Sequence, residues 1–101
     1  MNQLNHGITL EQLKIIHTIL KPFSNEITHV GLFGSRATGA YKPYSDIDLV
    51  LYGNVADTTL SRLWTLFDES ILPVKVDLQA YNLIEYAALK AHIDSVVKPL
   101  F

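Results

Sequence analysis

The sequence predicts an α/β or α+β fold, a mixed β-sheet flanked by helices in the order α-β-β-α-β-α, built as one domain over residues 1–101. Two patterns carry this prediction. Three segments place apolar residues at helical spacing, and three short apolar, partly β-branched runs lie among them. The link between the first two strands is short enough for an antiparallel, hairpin-like pair.

Taken in order, Thr9 and Gln12 form a capping box ahead of Leu13, Ile16 and Leu20, and Lys21-Pro22 ends the run, which predicts a helix over about 10–21. Ile27 to Phe33 is short and apolar and runs into Gly34, as a buried strand does. After a loop over Ala40 to Ser45, the stretch Asp46 to Tyr52 first alternates and then becomes wholly apolar. That strand begins polar and ends buried. Asp57 is placed to cap a helix with Leu60, Leu63, Trp64 and Phe67 on one stripe, closed before Pro73. Val74 to Ala80 follows as the third strand. Asn82 and Glu85 repeat the capping signature before a helix from Ile84 to about Asp94, leaving Val96 to Phe101 as a short strand or tail.

Composition narrows the function classes. Apolar residues make up 49% and charged residues 18%, against about 25% charged in ordinary domains, so the thinly charged surface favours a protein partner. Eight basic residues against ten acidic ones, without a basic cluster, argue against nonspecific nucleic-acid binding. The absence of cysteine excludes disulfides, thiolate zinc sites and a cysteine nucleophile, and fits a cytoplasmic location. Met1 to Gly7 is polar and no apolar run reaches the roughly 18 residues of a membrane span, so a soluble, unprocessed chain is expected.

Three features carry chemistry: Gly34-Ser35 closes the first strand, Asp46 and Asp48 open the second, and Asp77 lies within the third. Residues two apart in a strand share a face, about 6.5–7 Å between Cα atoms, so Asp46 and Asp48 project together. The same alternation puts Lys75, Asp77 and Gln79 on one face, and neighbouring strands would bring Asp77 to the pair. Three uncompensated carboxylates repel one another unless divalent cations neutralise them. Hard oxygen donors of this kind suit Mg²⁺ and two-metal phosphoryl chemistry, with Asp46 and Asp48 bridging both ions and Asp77 placed as general base. Gly34 lets the backbone approach a phosphate closely, Ser35 adds a hydroxyl, and Arg36 is in position to reach a phosphate.

The stretch HVGLFGSRATGAYKPYSDIDLVLYG resembles the signature of the DNA polymerase β-type nucleotidyltransferase superfamily, a Gly-Ser about ten residues before a DxD with strands on both sides. The resemblance covers about Ile27 to Ala80, and with no further domain in the chain it points to the minimal nucleotidyltransferase group. It implies that Gly34 and Ser35 hold the triphosphate and that Asp46, Asp48 and Asp77 are the metal carboxylates for two Mg²⁺ ions. It also implies ATP as donor, AMP as the transferred group, and a helical HEPN-type toxin encoded nearby as partner in a hetero-oligomer, with this chain as antitoxin. Thr38 stands where many relatives carry a second basic residue. Two other functions fit the same residues: a noncatalytic nucleotide-binding or occluding subunit, and nucleotidylation of a small molecule such as an antibiotic together with a second subunit.

Other residues have plainer readings. His29, in an apolar strand, reads as a satisfied core histidine, and His6, His17 and His92 lack a common metal spacing. Trp64 belongs to a core stripe, whereas Tyr41 and Tyr44 precede the DxD and are placed to touch a ligand. Lys42 and Lys75 read as solvated or ion-pairing cations.

Overall fold

In the first helix, α1 (Leu10–Leu20), the capping box forms in full. Gln12 N–H donates to the Thr9 hydroxyl and Thr9 N–H donates to the Gln12 side chain, both at 3.1 Å. The structure, a computed structural model, describes residues 6–101; the polar start of the sequence, residues 1–5, lies outside them. After α1 come β1 (Ile27–Phe33), a single turn α2 (Ser35–Thr38), β2 (Ile47–Gly53), α3 (Asp57–Asp68), β3 (Val76–Ala80), α4 (Ala87–Val96) and β4 (Lys98–Pro99), with 3₁₀ turns at Lys21–Phe23 and Tyr81–Leu83.

The four strands form one mixed sheet in the order β3-β2-β1-β4. β1 and β2 are antiparallel, as their short link predicts, while β2 and β3 are parallel and joined through α3. The tail supplies the edge: β4 pairs with Gly31 and Leu32 of β1.

Strand alternation sorts the core into two layers. Ile47, Leu49 and Leu51 of β2 join Leu32 of β1 and Leu78 of β3 under α1 and α3, where Ile16, Leu20, Leu63 and Phe67 meet them. On the opposite face Val50 packs with Phe33 and with Ile93 of α4. The middle of β2 is therefore covered on both sides, which is why its sequence turns wholly apolar at Leu49-Val50-Leu51. The outward face of β2 carries Asp48, Val50 and Tyr52, so Asp48 belongs to the face that α4 covers.

Three local expectations are corrected. Ala56, not Asp57, is the N-cap of α3, and its N–H donates to the Glu26 carboxylate at 2.9 Å, with the Thr59 hydroxyl donating to the same group at 2.8 Å. Asn82 does not cap α4; it exchanges hydrogen bonds with the backbone of Val55, and the helix starts at Ala87. His29 is exposed rather than in the core, its ring stacked on Tyr52 at 4.6 Å beside a register shift in β1.

Candidate active site

The C-terminal end of β1 and the N-terminal ends of β2 and β3 meet at one end of the sheet. Asp48 is the Cα partner of Phe33 across the antiparallel pair and of Asp77 across the parallel pair. The two aspartates thus sit on adjacent strands about 4.8 Å apart with their side chains on the same face. Asp46 lies one residue before β2, is exposed, and is followed by Ile47, whose N–H donates to Lys75 O at 2.9 Å.

Gly34 is fixed by this crowding. It adopts φ +72 and ψ −156, a region open essentially to glycine, and a Cβ there would overlap Oδ2 of Asp48. Its carbonyl accepts from Ala37 and Thr38 N–H, so β1 turns directly into the short α2 that Ser35 begins. The first N–H groups of such a turn have no partner inside it. Gly34 and Ser35 therefore stand beside Asp48, at the head of the carboxylate pair.

The electrostatics follow from that placement. Burial pushes the Asp48 carboxyl up from 3.8 to about 6, and the neighbouring charges of Asp77 and Asp46 push the same way. Arg36 and His92 act in the opposite sense. His92, on α4, is a neighbour that sequence spacing did not reveal; its ring meets the Phe33 ring edge-on at 6.5 Å, and Phe33 is the strand partner of Asp48.

Arg36 departs from the sequence expectation of a phosphate contact. Its guanidinium is buried and donates to backbone carbonyls, from Nη1 to His6 O at 2.8 Å, from Nη2 to Ser45 O at 2.9 Å and Pro43 O at 3.3 Å, and from Nε to Ser45 O at 3.3 Å. Tyr41, expected at a ligand, lies against that guanidinium at 5.1 Å, whereas Tyr44 is 79% exposed.

The donor set fits a hard divalent cation: carboxylates on one face, one of them held above its ordinary range first by burial and then by the like charges of Asp77 and Asp46, which a cation would offset. Asp46, Asp48 and Asp77 are the residues that would hold it. Among the described residues, no three such side chains are already gathered around a single point.

Comparison with known proteins places this geometry. Over 73 residues the chain is 42% identical to the probable protein adenylyltransferase MntA of Haemophilus influenzae, a match that covers 70% of this chain and 63% of that relative, so the chain spans less than two thirds of the protein it matches. Two crystallised complexes share the fold. A toxin–antitoxin complex with AMP-PNP superposes with a TM-score of 0.71 at 22% identity, covering 88% of this chain and 72% of that one. The toxin–antitoxin complex MntA-HepT gives 0.67 at 19% identity, covering 92% and 72%. At those identities the two complexes speak to the fold alone. The sequence match to the nucleotidyltransferase domain runs over residues 13–99 and takes in all four strands and every carboxylate of the site, and on that ground the chain belongs to the nucleotidyltransferase domain family.

Proposed function

We propose that this chain transfers a nucleoside monophosphate, AMP from ATP, to a hydroxyl of a partner protein, and that it acts as the antitoxin of a helical HEPN-type toxin encoded beside it. One observation carries the reading: Asp48 and Asp77 stand in register on one sheet face, with Gly34 packed so closely on Asp48 that a side chain is excluded. A relative described as a probable protein adenylyltransferase supports the choice of acceptor, and a fold neighbour at 26% identity, crystallised as a toxin–antitoxin complex, supports the choice of partner. Large apolar side chains left exposed at Leu10, Tyr44, Ile71 and Tyr86 are suited to a protein interface. The donor is an intracellular nucleotide, which puts the reaction in the cytoplasm.

In this reading Asp46, Asp48 and Asp77 would hold two Mg²⁺ ions, which when bound would neutralise the phosphates and lower the pKa of the attacking hydroxyl. Gly34 leaves room for a phosphate against the backbone, and Ser35 donates its hydroxyl to a phosphate oxygen. Asp77 accepts the proton of the acceptor hydroxyl as that oxygen attacks the α-phosphorus in line. The new P–O bond forms as the bond to the β-phosphate bridging oxygen breaks, and pyrophosphate leaves with the electron pair.

The test is intact-mass spectrometry of the partner after incubation with this chain, ATP and Mg²⁺. One or more added AMP groups, missing with Asp77→Ala, are expected. Tight binding of the partner without modification by any of the four nucleoside triphosphates would favour the noncatalytic subunit instead.

A further inference from the structure

Burying a guanidinium is costly unless its donors are satisfied, and an arginine beside a carboxylate cluster ordinarily forms an ion pair. Arg36 does something else. It is only 4% exposed, and among the described residues its hydrogen bonds run to backbone carbonyls, those of His6, Pro43 and Ser45. Ser45 O receives two of them, from Nε and Nη2.

The Ser45 carbonyl belongs to the peptide unit that continues into Asp46, and planarity puts that oxygen in one plane with the Asp46 nitrogen and Cα. Fixing the oxygen therefore fixes the plane from which the Asp46 side chain departs. One residue further on, Ile47 N–H is bonded to Lys75 O. Asp46 is thus pinned from the loop side by Arg36 and from the strand side by Lys75, the residue before β3. The loop is tied to itself as well: Lys42 N–H donates to the Ser45 hydroxyl at 2.8 Å, and Ser45 N–H donates to Lys42 O at 3.0 Å.

We infer that Arg36 is a positioning residue: its buried guanidinium, donating to the carbonyls of His6, Pro43 and Ser45, sets the orientation of Asp46 for metal binding. The inference rests on the proposed metal role of Asp46. Lysine cannot replace arginine here, because a single ammonium does not span three carbonyls from a rigid plane. The guanidinium charge, spent on neutral carbonyls, still reaches the carboxylates, consistent with its influence on Asp48.

The experiment is Mn²⁺ binding to the full chain at neutral pH, followed by the electron paramagnetic resonance of free Mn²⁺, for wild type, Arg36→Lys and Asp46→Asn. Loss of an outer partner of a metal ligand typically weakens binding 10- to 100-fold, so Arg36→Lys should bind about 10-fold more weakly while keeping a wild-type circular dichroism spectrum. A lowered melting temperature with wild-type Mn²⁺ affinity would overturn the inference, since a purely structural arginine does that. If Arg36→Lys does not fold, Tyr41→Leu, which removes the ring beneath the guanidinium, decides. About 2- to 5-fold weaker binding sustains the inference, and wild-type affinity overturns it. Absence of Mn²⁺ binding by the wild type would overturn the proposed metal role and this inference with it, whereas equal affinity in Arg36→Lys overturns this inference alone.

Discussion

Replacing Asp48 with asparagine should make the metal-free protein more stable, and only above a definable pH. The Asp48 carboxyl titrates near 6 in the folded chain against 3.8 ordinarily, because burial and the charges of Asp77 and Asp46 disfavour its ionised form. At about 1.4 kcal/mol per pH unit the whole shift corresponds to about 3 kcal/mol, and water around this half-buried group screens it to about 1–2 kcal/mol. Below 3.8 both folded and unfolded chains keep the proton and no penalty exists. Between 3.8 and 6 the unfolded chain ionises first, so folding loses stability as pH rises, and above 6 the full penalty is present. Asparagine mimics the neutral acid at every pH. Thermal unfolding in a chelator should show Asp48→Asn melting about 4–16 °C above wild type near pH 8 and with it near pH 4. Equal melting near pH 8, or the same gain at both pH values, would refute the electrostatic reasoning.

Gly34→Ala should destabilise by at least about 1–3 kcal/mol, since alanine must adopt a glycine backbone conformation and also displace the Asp48 carboxylate. Chemical denaturation of Gly34→Ala, alone and combined with Asp48→Gly, separates the two causes, because only the overlap is relieved in the double variant. Glu26 is held below its ordinary pKa, first by the Ala56 N–H and then by the Thr59 hydroxyl, so its contribution is present above the unfolded carboxylate pKa and fades as pH falls. Glu26→Gln should therefore lower the melting temperature near neutral pH and converge on wild type in acid, as pH-dependent melting curves would show. Mg²⁺ with ATP at a hundred times the dissociation constant should add about 2.7 kcal/mol to folding. An unchanged melting curve at millimolar metal and nucleotide would count against a nucleotide site.

What the sequence made legible divides by range. The α1 capping box could be read because Thr9 and Gln12 are three residues apart and bond each other. The Asp48–Asp77 pairing was readable because strand alternation decides which side chains share a face, and only adjacency of the strands was left to find. Groups satisfied from a distance were hidden. The start of α3 at Ala56 is held by Glu26, 30 residues earlier, and Asn82 is occupied by Val55, so the local capping rules picked the wrong residues. His29 was misplaced because an apolar run says nothing of which positions are covered: its ring stacks on Tyr52 and stays exposed. Arg36 carries no sequence signal of burial, since the carbonyls that satisfy it are backbone groups of another segment.

In the proposed reaction a metal-bound triphosphate sits at the meeting of Gly34-Ser35 with Asp46, Asp48 and Asp77. Paramagnetic broadening of backbone amide resonances by Mn²⁺, in the presence of a nonhydrolysable ATP analogue, tests it most directly. Selective loss of the Gly34, Ser35, Asp46, Ile47, Asp48 and Asp77 signals is expected at substoichiometric Mn²⁺, with the α1 and α3 amides untouched. Broadening centred on those helices, or uniform across the chain, would contradict it.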